Sequence, residues 1–285
     1  MINKRVVAID SQKLNAIQKC MRFYRYNMEQ AFQPIFTPDY FERGDLLHKM
    51  LQTYYILRKS RCNWAINHKT HADIVQICIR VGRHYSYRMR IDITEVENVI
   101  DTFRQYTEHT ANDGWDNILA VEQSGSKILH EDNELIILYE FKIDLIISLM
   151  NMPAIPVDHK SVSQRRETEM LSNQFMGYCW SLGVNNIIIN KLGFQKTLKP
   201  AQKFERQTMS YAPDVLEEWV ASSIWWIKHA IRLTDDKMFP PNLTSCDKYS
   251  GCLFREVCRS DQYTREFKLR SLFEHSPKWD VGAGL

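Results

Sequence analysis

No apolar run in this chain reaches the length of a membrane span. The longest, around LIISLMNMPAIPV, is interrupted by Asn151, Pro153 and Pro156. The first residues, MINKRVVAID, lack the apolar core and small-residue cleavage site of a secretory signal. A cytoplasmic location with no membrane partner is therefore the expectation. There is no internal repeat and no low-complexity linker, which at 285 residues fits one domain with a subdomain better than two equal halves. The formal net charge of +3 is too small to identify a partner; local clustering has to do that. Seven cysteines, an odd count in a chain read as cytosolic, argue against a disulfide framework.

Hydrophobic residues at 44% and charged residues at 25% are ordinary for a soluble globular protein. The cysteines are not ordinary. Cys246, Cys252 and Cys258 recur every six residues in CDKYSGCLFREVC, and Cys20 stands far upstream in IQKCMRFYRY. If the four hold one metal centre, the two ends of the chain are pinned together. Cys62, Cys78 and Cys179 lie singly in helix-like patterns and read as small core residues. Structural zinc favours cysteine pairs two to four residues apart, and ferredoxin spacings are also short. Spacing alone leaves zinc and iron both open.

Up to about residue 110 the chain reads as mostly helical: DLLHKMLQTYYILRKS, HADIVQICIRVGRHYSYRM and TEVENVIDTFRQYTEHT carry apolar residues three and four apart. Thr94 with Glu97 is a capping-box candidate. Between residues 117 and 160 the short segments NILAVEQ, ELIILYE, KIDLIIS and AIPVDHK read as strands. A helix of about twenty residues follows, SQRRETEMLSNQFMGYCWSLG, closed by Gly183. Strands VNNIIINKLGF and KFERQTMSYA and the helix DVLEEWVASSIWWIKHAIRL complete an α/β order, with the cysteine triplet in a loop-rich tail. Trp225 and Trp226, on that last helix, read as core or subdomain interface.

Asp144 in FKIDLII and Asp158 in VDHK lie fourteen residues apart, and Lys160 follows two later. On strands joined by a hairpin the two carboxylates can converge, and period-two alternation puts Asp158 and Lys160 on one face. Paired carboxylates repel unless a cation lies between them, and hard oxygen ligands favour Mg²⁺ or Mn²⁺. A solvated strand end would also fit D-x-K by itself. GDLLHKML adds Gly44 four residues before His48, and QFMGY places Gln174 and Tyr178 on one helix face. Singly, a surface histidine and an ordinary amphipathic edge would explain these.

In this order the motifs resemble the PD-(D/E)XK nuclease superfamily, and within it the RecB-like iron–sulfur branch that includes AddB-type nuclease domains and CRISPR-associated adaptation nucleases. The resemblance runs from Ser11 to Cys258. It implies a restriction-endonuclease-like core with a mixed central sheet flanked by helices. One nuclease domain would cover 1–285, with a mainly helical region at 1–110, the core at 115–235 and an Fe–S-bound tail at 236–285. His48, Asp144, Asp158 and the carbonyl of His159 would bind Mn²⁺ or Mg²⁺. Lys160 would be the catalytic lysine, and Gln174 and Tyr178 would buttress the site and touch the DNA backbone. Cys20, Cys246, Cys252 and Cys258 would ligate a [4Fe–4S] cluster with a structural role. Glu122 matches a strand glutamate often seen ahead of the first aspartate. Two features depart from the pattern: Phe141 stands where many relatives have glycine, and Asp158 where many have glutamate.

Basic residues mixed with aromatics in KCMRFYRYN and RKSRCNWAINHK are candidate strand contacts, as are solvated helix faces. Arg22 and Arg25 lie in the first, and Arg165 and Arg166 follow the lysine strand. The expectation is a metal-dependent DNase, an exonuclease on DNA ends or single strands, serving DNA repair, recombination or phage- or CRISPR-type DNA processing. The competing reading is a DNA-end-binding or assembly module with weak or no cleavage. A third is a zinc-stabilised structural protein whose D-x-K is accidental. With no helicase motif present, a helicase or recombination partner would be a separate subunit.

Overall fold

The aliphatic run from Leu135 to Leu149 forms one fifteen-residue strand at the centre of a six-stranded mixed sheet. The computed structural model describes residues 4–35, 39–60, 70–111, 114–115, 117–149, 152–162, 171–195, 197–247 and 251–276. The chain opens with β1 (Arg5–Ile9), α1 (Ser11–Lys19), α2 (Met21–Tyr24), a π-helical turn (Arg25–Glu29) and β2 (Phe32–Pro34). Three helices follow: α3 (Asp39–Lys59), α4 (His71–Met89) and α5 (Ile93–His109). The middle carries β3 (Ile118–Glu131), β4 (Leu135–Leu149), β5 (Met152–Val162), α6 (Asn173–Leu182), β6 (Asn186–Gly193), α7 (Pro200–Lys203), β7 (Phe204–Ser210) and α8 (Pro213–Asp235). The tail holds a 3₁₀ turn (Leu243–Ser245), α9 (Arg255–Cys258), α10 (Gln262–Leu272) and β8 (Phe273–His275).

The sheet order is β1-β4-β5-β6-β7, with β3 on the other edge of β4. β1 runs parallel to β4 and β5 parallel to β6, while the other pairs are antiparallel. An α/β fold with a mixed, helix-flanked sheet is as expected. On one face Leu46, Tyr54, Ile100 and Phe103 of α3 and α5 pack on Leu145, Ile155, Val157 and Leu192. On the other, Leu14, Phe175, Trp219 and Ile227 of α1, α6 and α8 cover Ile137, Tyr139, Ile187 and Ile189.

β4 changes faces part-way along. Leu135, Ile137, Tyr139 and Ile143 belong to the second core, but Leu145 and Ile147 belong to the first. The pairing with β3 passes from Gln123↔Ile143 to Val121↔Leu145, and between them Glu122 takes a left-handed φ of 52°. A non-glycine residue is rarely held there, so the local twist is imposed by the surrounding packing. Asp144 falls at this crossing.

The two ends of the chain meet. β2 pairs antiparallel with β8, Phe32 opposite His275. Tyr26, Phe32, Phe254, Val257, Leu269 and Phe273 form a third, small core, with Cys252 and Cys258 against it.

Several local expectations differ from the structure. β1 lies in a region read as helical, because a five-residue strand completes too few periods to be seen. ELIILYE and KIDLIIS are parts of one strand that runs on through Glu140, Phe141 and Lys142, whose half-buried side chains border a cleft. Of the helix read over 163–183, residues 163–170 lie outside the described residues, 171 and 172 are not helical, and Asn173–Leu182 is. Gly183 does close it, at φ 67°. The cap of α5 is Asp92, whose carboxylate accepts from the N–H groups of Thr94 and Glu95, so Thr94 is not the cap. The tail holds a regular helix, α10, where loop was expected. Trp225 is 59% exposed, not core, while Trp226 packs against the second core. Cys78 and Cys179 are buried as expected; Cys62 and most of RKSRCNWAINHK lie outside the described residues. Among the described residues no helix is long and apolar enough to cross a membrane.

Candidate active site

The edge of β4 away from β3 forks. Leu135–Tyr139 pair with β1 and Leu145–Leu149 with β5, which leaves Glu140–Asp144 between them. A cleft of about 320 Å³ opens there, lined by Ser11, His48, Glu122, Phe141, Asp144 and Gln174 among others. Because β4 changes faces at Asp144, this carboxylate meets side chains from both helical layers. His48 of α3 brings Nδ1 to 3.6 Å from Asp144 Oδ2. Where β5 parts from β4, the backbone N–H of His159 donates to the same oxygen at 2.8 Å. Gly44, one turn before His48, allows α3 to approach β5: a Cβ there would sit 3.1 Å from Ser161 Oγ. Phe141 turns its ring over Gly125 on β3, filling the space a side chain would take.

Asp158 and Lys160 point to the face that carries α6. Lys160 Nζ is 2.8 Å from Asp158 Oδ2 and donates to Gln174 Oε1 at 2.9 Å. The Gln174 amide donates to Asp158 Oδ1 at 3.0 Å and to the Tyr178 hydroxyl at 2.8 Å. Tyr178 in turn donates to the carbonyl of Lys142 at 2.5 Å. The i, i+4 spacing of Gln174 and Tyr178 thus builds one chain of hydrogen bonds from β4 through α6 to the lysine on β5. Asp158 is buried, whereas the Lys160 side chain keeps 39% of its surface.

Burial pushes the Asp144 carboxyl up to about 6, with Asp158 and Glu122 adding to the rise and His48 and the His159 N–H opposing it. Burial also holds Tyr178 well above the ordinary phenol range, so it acts as a neutral donor. Lys142 is 2.8 Å from Glu122 Oε2 and offsets part of the acidic field.

Behind the site lies a buried network on the opposite sheet face. His159 stacks on Tyr55 with ring centroids 5.4 Å apart. The Asn190 amide donates to His159 Nδ1 at 2.9 Å and to the Tyr106 hydroxyl at 2.8 Å. Tyr106 also meets the Tyr55 hydroxyl at 2.6 Å and accepts from Arg206 at 3.4 Å. With Nδ1 accepting, His159 is neutral and carries its proton on Nε2. Burial, with His48, Arg206 and Lys160 adding to it, holds its pKa well below the usual imidazole range.

Asp144, Asp158 and His48 offer two carboxylates and an imidazole from three elements, the donor chemistry that suits a hard divalent cation. As they stand, both Asp158 oxygens face Gln174 and Lys160. Among the described residues no three His, Cys, Asp or Glu side chains converge tightly enough to grip one ion. The donor chemistry fits; the Asp158 side chain is held by its protein partners.

Cys20, Cys246, Cys252 and Cys258 are all half-buried and close enough to act electrostatically on one another. Burial raises the Cys246 and Cys258 thiols, Cys252 and Cys20 add to the rise, and a hydrogen bond from Arg22 opposes it at Cys258. The Asn242 N–H donates to Cys20 Sγ at 3.3 Å, and Cys252 N–H to the Cys246 carbonyl at 2.7 Å. Arg22 and Arg25 line a second cleft beside these cysteines, not the one at Asp144. Arg165 and Arg166 lie outside the described residues.

A sequence model of the PD-(D/E)XK nuclease superfamily matches residues 11–259. The chain belongs to this superfamily. Membership places it among the nucleases, which are phosphodiester hydrolases. No curated protein matches it significantly. Of solved structures, the chain is similar to a protein designated SSO0001, at 16% identity and TM-score 0.36, over 72% of this chain and 95% of that one. It is also similar to a candidate exonuclease from Eubacterium rectale, at 10% identity and TM-score 0.47, over 84% and 86%.

Sequence reading of this PD-(D/E)XK chain missed Asn190, Tyr106 and Asp10. Asn190 carried a signal, a lone amide inside the buried run NIIINKLG. Asp10 is buried at the start of α1 and lines the cleft, its Oδ1 accepting from the Lys13 N–H at 2.8 Å. Tyr106 looks like any other apolar-face residue of α5.

Proposed function

We propose that this chain is a metal-dependent DNA nuclease, an exonuclease acting at DNA ends or on single strands. The observation that carries the reading is the hydrogen-bonded set Asp158–Lys160–Gln174–Tyr178 beside Asp144 and His48 in an open cleft. His48, Asp144, Asp158 and the His159 carbonyl are the proposed ligands of Mn²⁺ or Mg²⁺. When bound, such a cation supplies an acidified water and neutralises charge on the phosphate. Lys160, aimed by Gln174 and Asp158, offers an ammonium to charge that develops on the phosphoryl oxygens. Tyr178 anchors Gln174, and the His159 N–H fixes the Asp144 rotamer. Arg22, Arg25, Arg165 and Arg166 are the proposed DNA contacts.

Membership of the RecB-like iron–sulfur branch is part of the same proposal, with Cys20, Cys246, Cys252 and Cys258 holding a [4Fe–4S] cluster. Four gathered thiols, one receiving a guanidinium and another a backbone N–H, support it. Thiolates of such a cluster bind separate irons, so they need not converge as the ligands of one ion do. Its role is to cross-link the ends of the chain. The enzyme would act in the cytoplasm in DNA repair, recombination or related processing, alongside a separate helicase or recombination protein.

The test is to purify the protein anaerobically, record its visible absorbance, and incubate it with end-labelled single- and double-stranded DNA and Mn²⁺ or Mg²⁺. Metal-dependent shortening that Lys160→Ala abolishes is the expected result. Cleavage that survives both Asp158→Ala and Lys160→Ala would overturn the site.

A further inference from the structure

The cleft beside the cysteines has a volume of about 340 Å³ and is lined by Arg22, Arg25, Lys237, Arg265, Phe239 and Glu266 among others. None of its four cations forms an ion pair among the described residues, and the one carboxylate, Glu266, lies 3.9 Å from Arg270. Some exposed cations elsewhere are paired, Lys4 with Glu131, Arg5 with Asp235 and Lys228 with Asp132, and others such as Arg88, Arg90 and Arg104 stand apart; in this cleft four gather. Arg22 meets the Cys258 sulfur, while Arg25, Lys237 and Arg265 have no carboxylate partner among the described residues; like charges gathered in this way repel one another and raise the local concentration of anions.

The cations are also held in place. Arg22 Nε donates to the Phe239 carbonyl at 3.3 Å, and Arg265 Nη2 to the Cys258 carbonyl at 3.2 Å. The Arg25 guanidinium lies 4.4 Å from the Phe239 ring centre, with its N–H groups unspent among the described residues. Arg25 belongs to the π-helical turn, an element often found at functional positions. Lys237 follows the C-cap of α8 as its left-handed closing residue at φ 55°, its N–H donating to the Thr234 carbonyl and the Met238 N–H to the Leu233 carbonyl, which fixes where its side chain starts.

We propose that this cleft is a second phosphate-binding site, which holds the backbone of the same DNA strand whose scissile phosphate lies at Asp144. The inference rests on the nuclease reading for its ligand. Geometry favours a polymer over a small anion. Ser11 and Gln12, at one end of α1, line the Asp144 cleft, and Arg22 lies just past the other end in the cationic cleft. A nine-residue helix is about 13 Å long, roughly four phosphate steps at the 3.4 Å rise of a duplex strand. Only a strand of several nucleotides reaches both clefts.

The test is fluorescence anisotropy on the full chain in EDTA, with labelled single strands of about four and about twenty nucleotides, across a salt series. The variant is Arg25→Gln with Lys237→Gln, neither of which removes a side-chain hydrogen bond among the described residues. Lys4→Gln with Lys228→Gln is the control for general charge. The long strand should bind the first variant about tenfold more weakly, with the log–log salt slope reduced by about 1.4, two contacts at about 0.7 each. The short strand and the control should not change. Unchanged long-strand affinity overturns the proposal, as does equal weakening by the control. Displacement by inorganic phosphate or pyrophosphate, with no dependence on strand length, overturns the strand and assigns the cleft to a small anion. Wild-type protein that binds as expected but never cleaves with Mn²⁺ sinks the nuclease reading and leaves this one standing. Cleavage with unchanged variant affinity does the reverse.

Discussion

The cleft at Asp144 and the lobe around the cysteines are built in different ways. The cleft sits between two large apolar layers, and its polar side chains are locked to one another and to backbone. The lobe has six buried apolar residues among those described, one three-residue strand pair and two short helices. A core that small gains much from a cross-link. Packing holds the cleft; the proposed cluster would be what holds the lobe.

The largest effects should therefore be of different kinds. Lys160→Ala is expected to lower metal-dependent cleavage by about 10²–10⁴-fold, the usual range for losing a positioned polar catalyst. Its urea midpoint should fall, because the buried Asp158 carboxylate loses its cation, but its protease pattern in the lobe should not change. Cys252→Ala should instead lower bound iron and the visible absorbance, and open new protease sites between Arg255 and Leu272. A Cys252→Ala protein with full iron content would remove Cys252 from the ligand set. If it also keeps wild-type protease resistance, the contrast between the regions fails.

Asn190→Leu probes the locked side of the comparison. It removes the donor to both His159 Nδ1 and Tyr106; Nδ1 is left unpaired, whereas the Tyr106 hydroxyl keeps Tyr55 and Arg206. A loss on the order of 1–3 kcal/mol in urea unfolding is expected, with a drop in kcat and little change in protease cleavage of the lobe. A variant that unfolds as wild type but loses activity would mean the network serves chemistry rather than packing.

Much of the locked side was legible in the sequence. D-x-K, G-x3-H and Q-x3-Y mark positions whose side chains meet at one cleft, because period-two and i, i+4 spacing translate directly into shared faces. What was hidden depends on long-range partners. β1, β2 and β8 are too short for a periodic signal, so the sheet edge and the closure of the chain ends could not be read from them. The face change at Asp144 arises from Glu122 in a left-handed conformation, a property of the strand pair and not of either sequence. Trp225 fits a buried stripe by pattern but lies where α8 faces outward. The cysteine pattern raised a closure of the ends as an expectation that depends on a metal centre; the closure the structure contains is β2–β8 pairing, which sequence distance concealed.

Asp144→Asn should be the smaller, opposite effect: a stabilised protein with no activity. A carboxyl raised from 3.8 to about 6 binds its proton more tightly in the folded state than in the unfolded one. Its stability contribution is thus complete below about 4 and is lost as pH rises towards 6, then stays lost. About 2 pH units correspond to roughly 3 kcal/mol at most, so a gain of about 1–3 kcal/mol is expected for Asp144→Asn at pH 8 without metal. That gain should disappear near pH 4. A pH-independent difference between the two proteins would show that burial does not hold the Asp144 carboxyl up.

The smallest effect compares one lesion in both regions. Thr70 caps α4 in the large layer by accepting from the Asp73 N–H, and Asp261 caps α10 in the lobe by accepting from the N–H groups of Tyr263 and Thr264. Thr70→Ala should cost about 1 kcal/mol globally, with no local change, because α4 is fastened by Ile74, Cys78 and Ile79 in the first core. Asp261→Ala should leave the global midpoint almost untouched, because α10 contributes only Leu269 to the small core. What should change is local: faster proteolysis and faster amide exchange across Gln262–Leu272, more so after iron is chelated. Equal local protection of α10 and α4 after the two substitutions would mean that the lobe is held by packing after all, and that its cysteines are not what orders it.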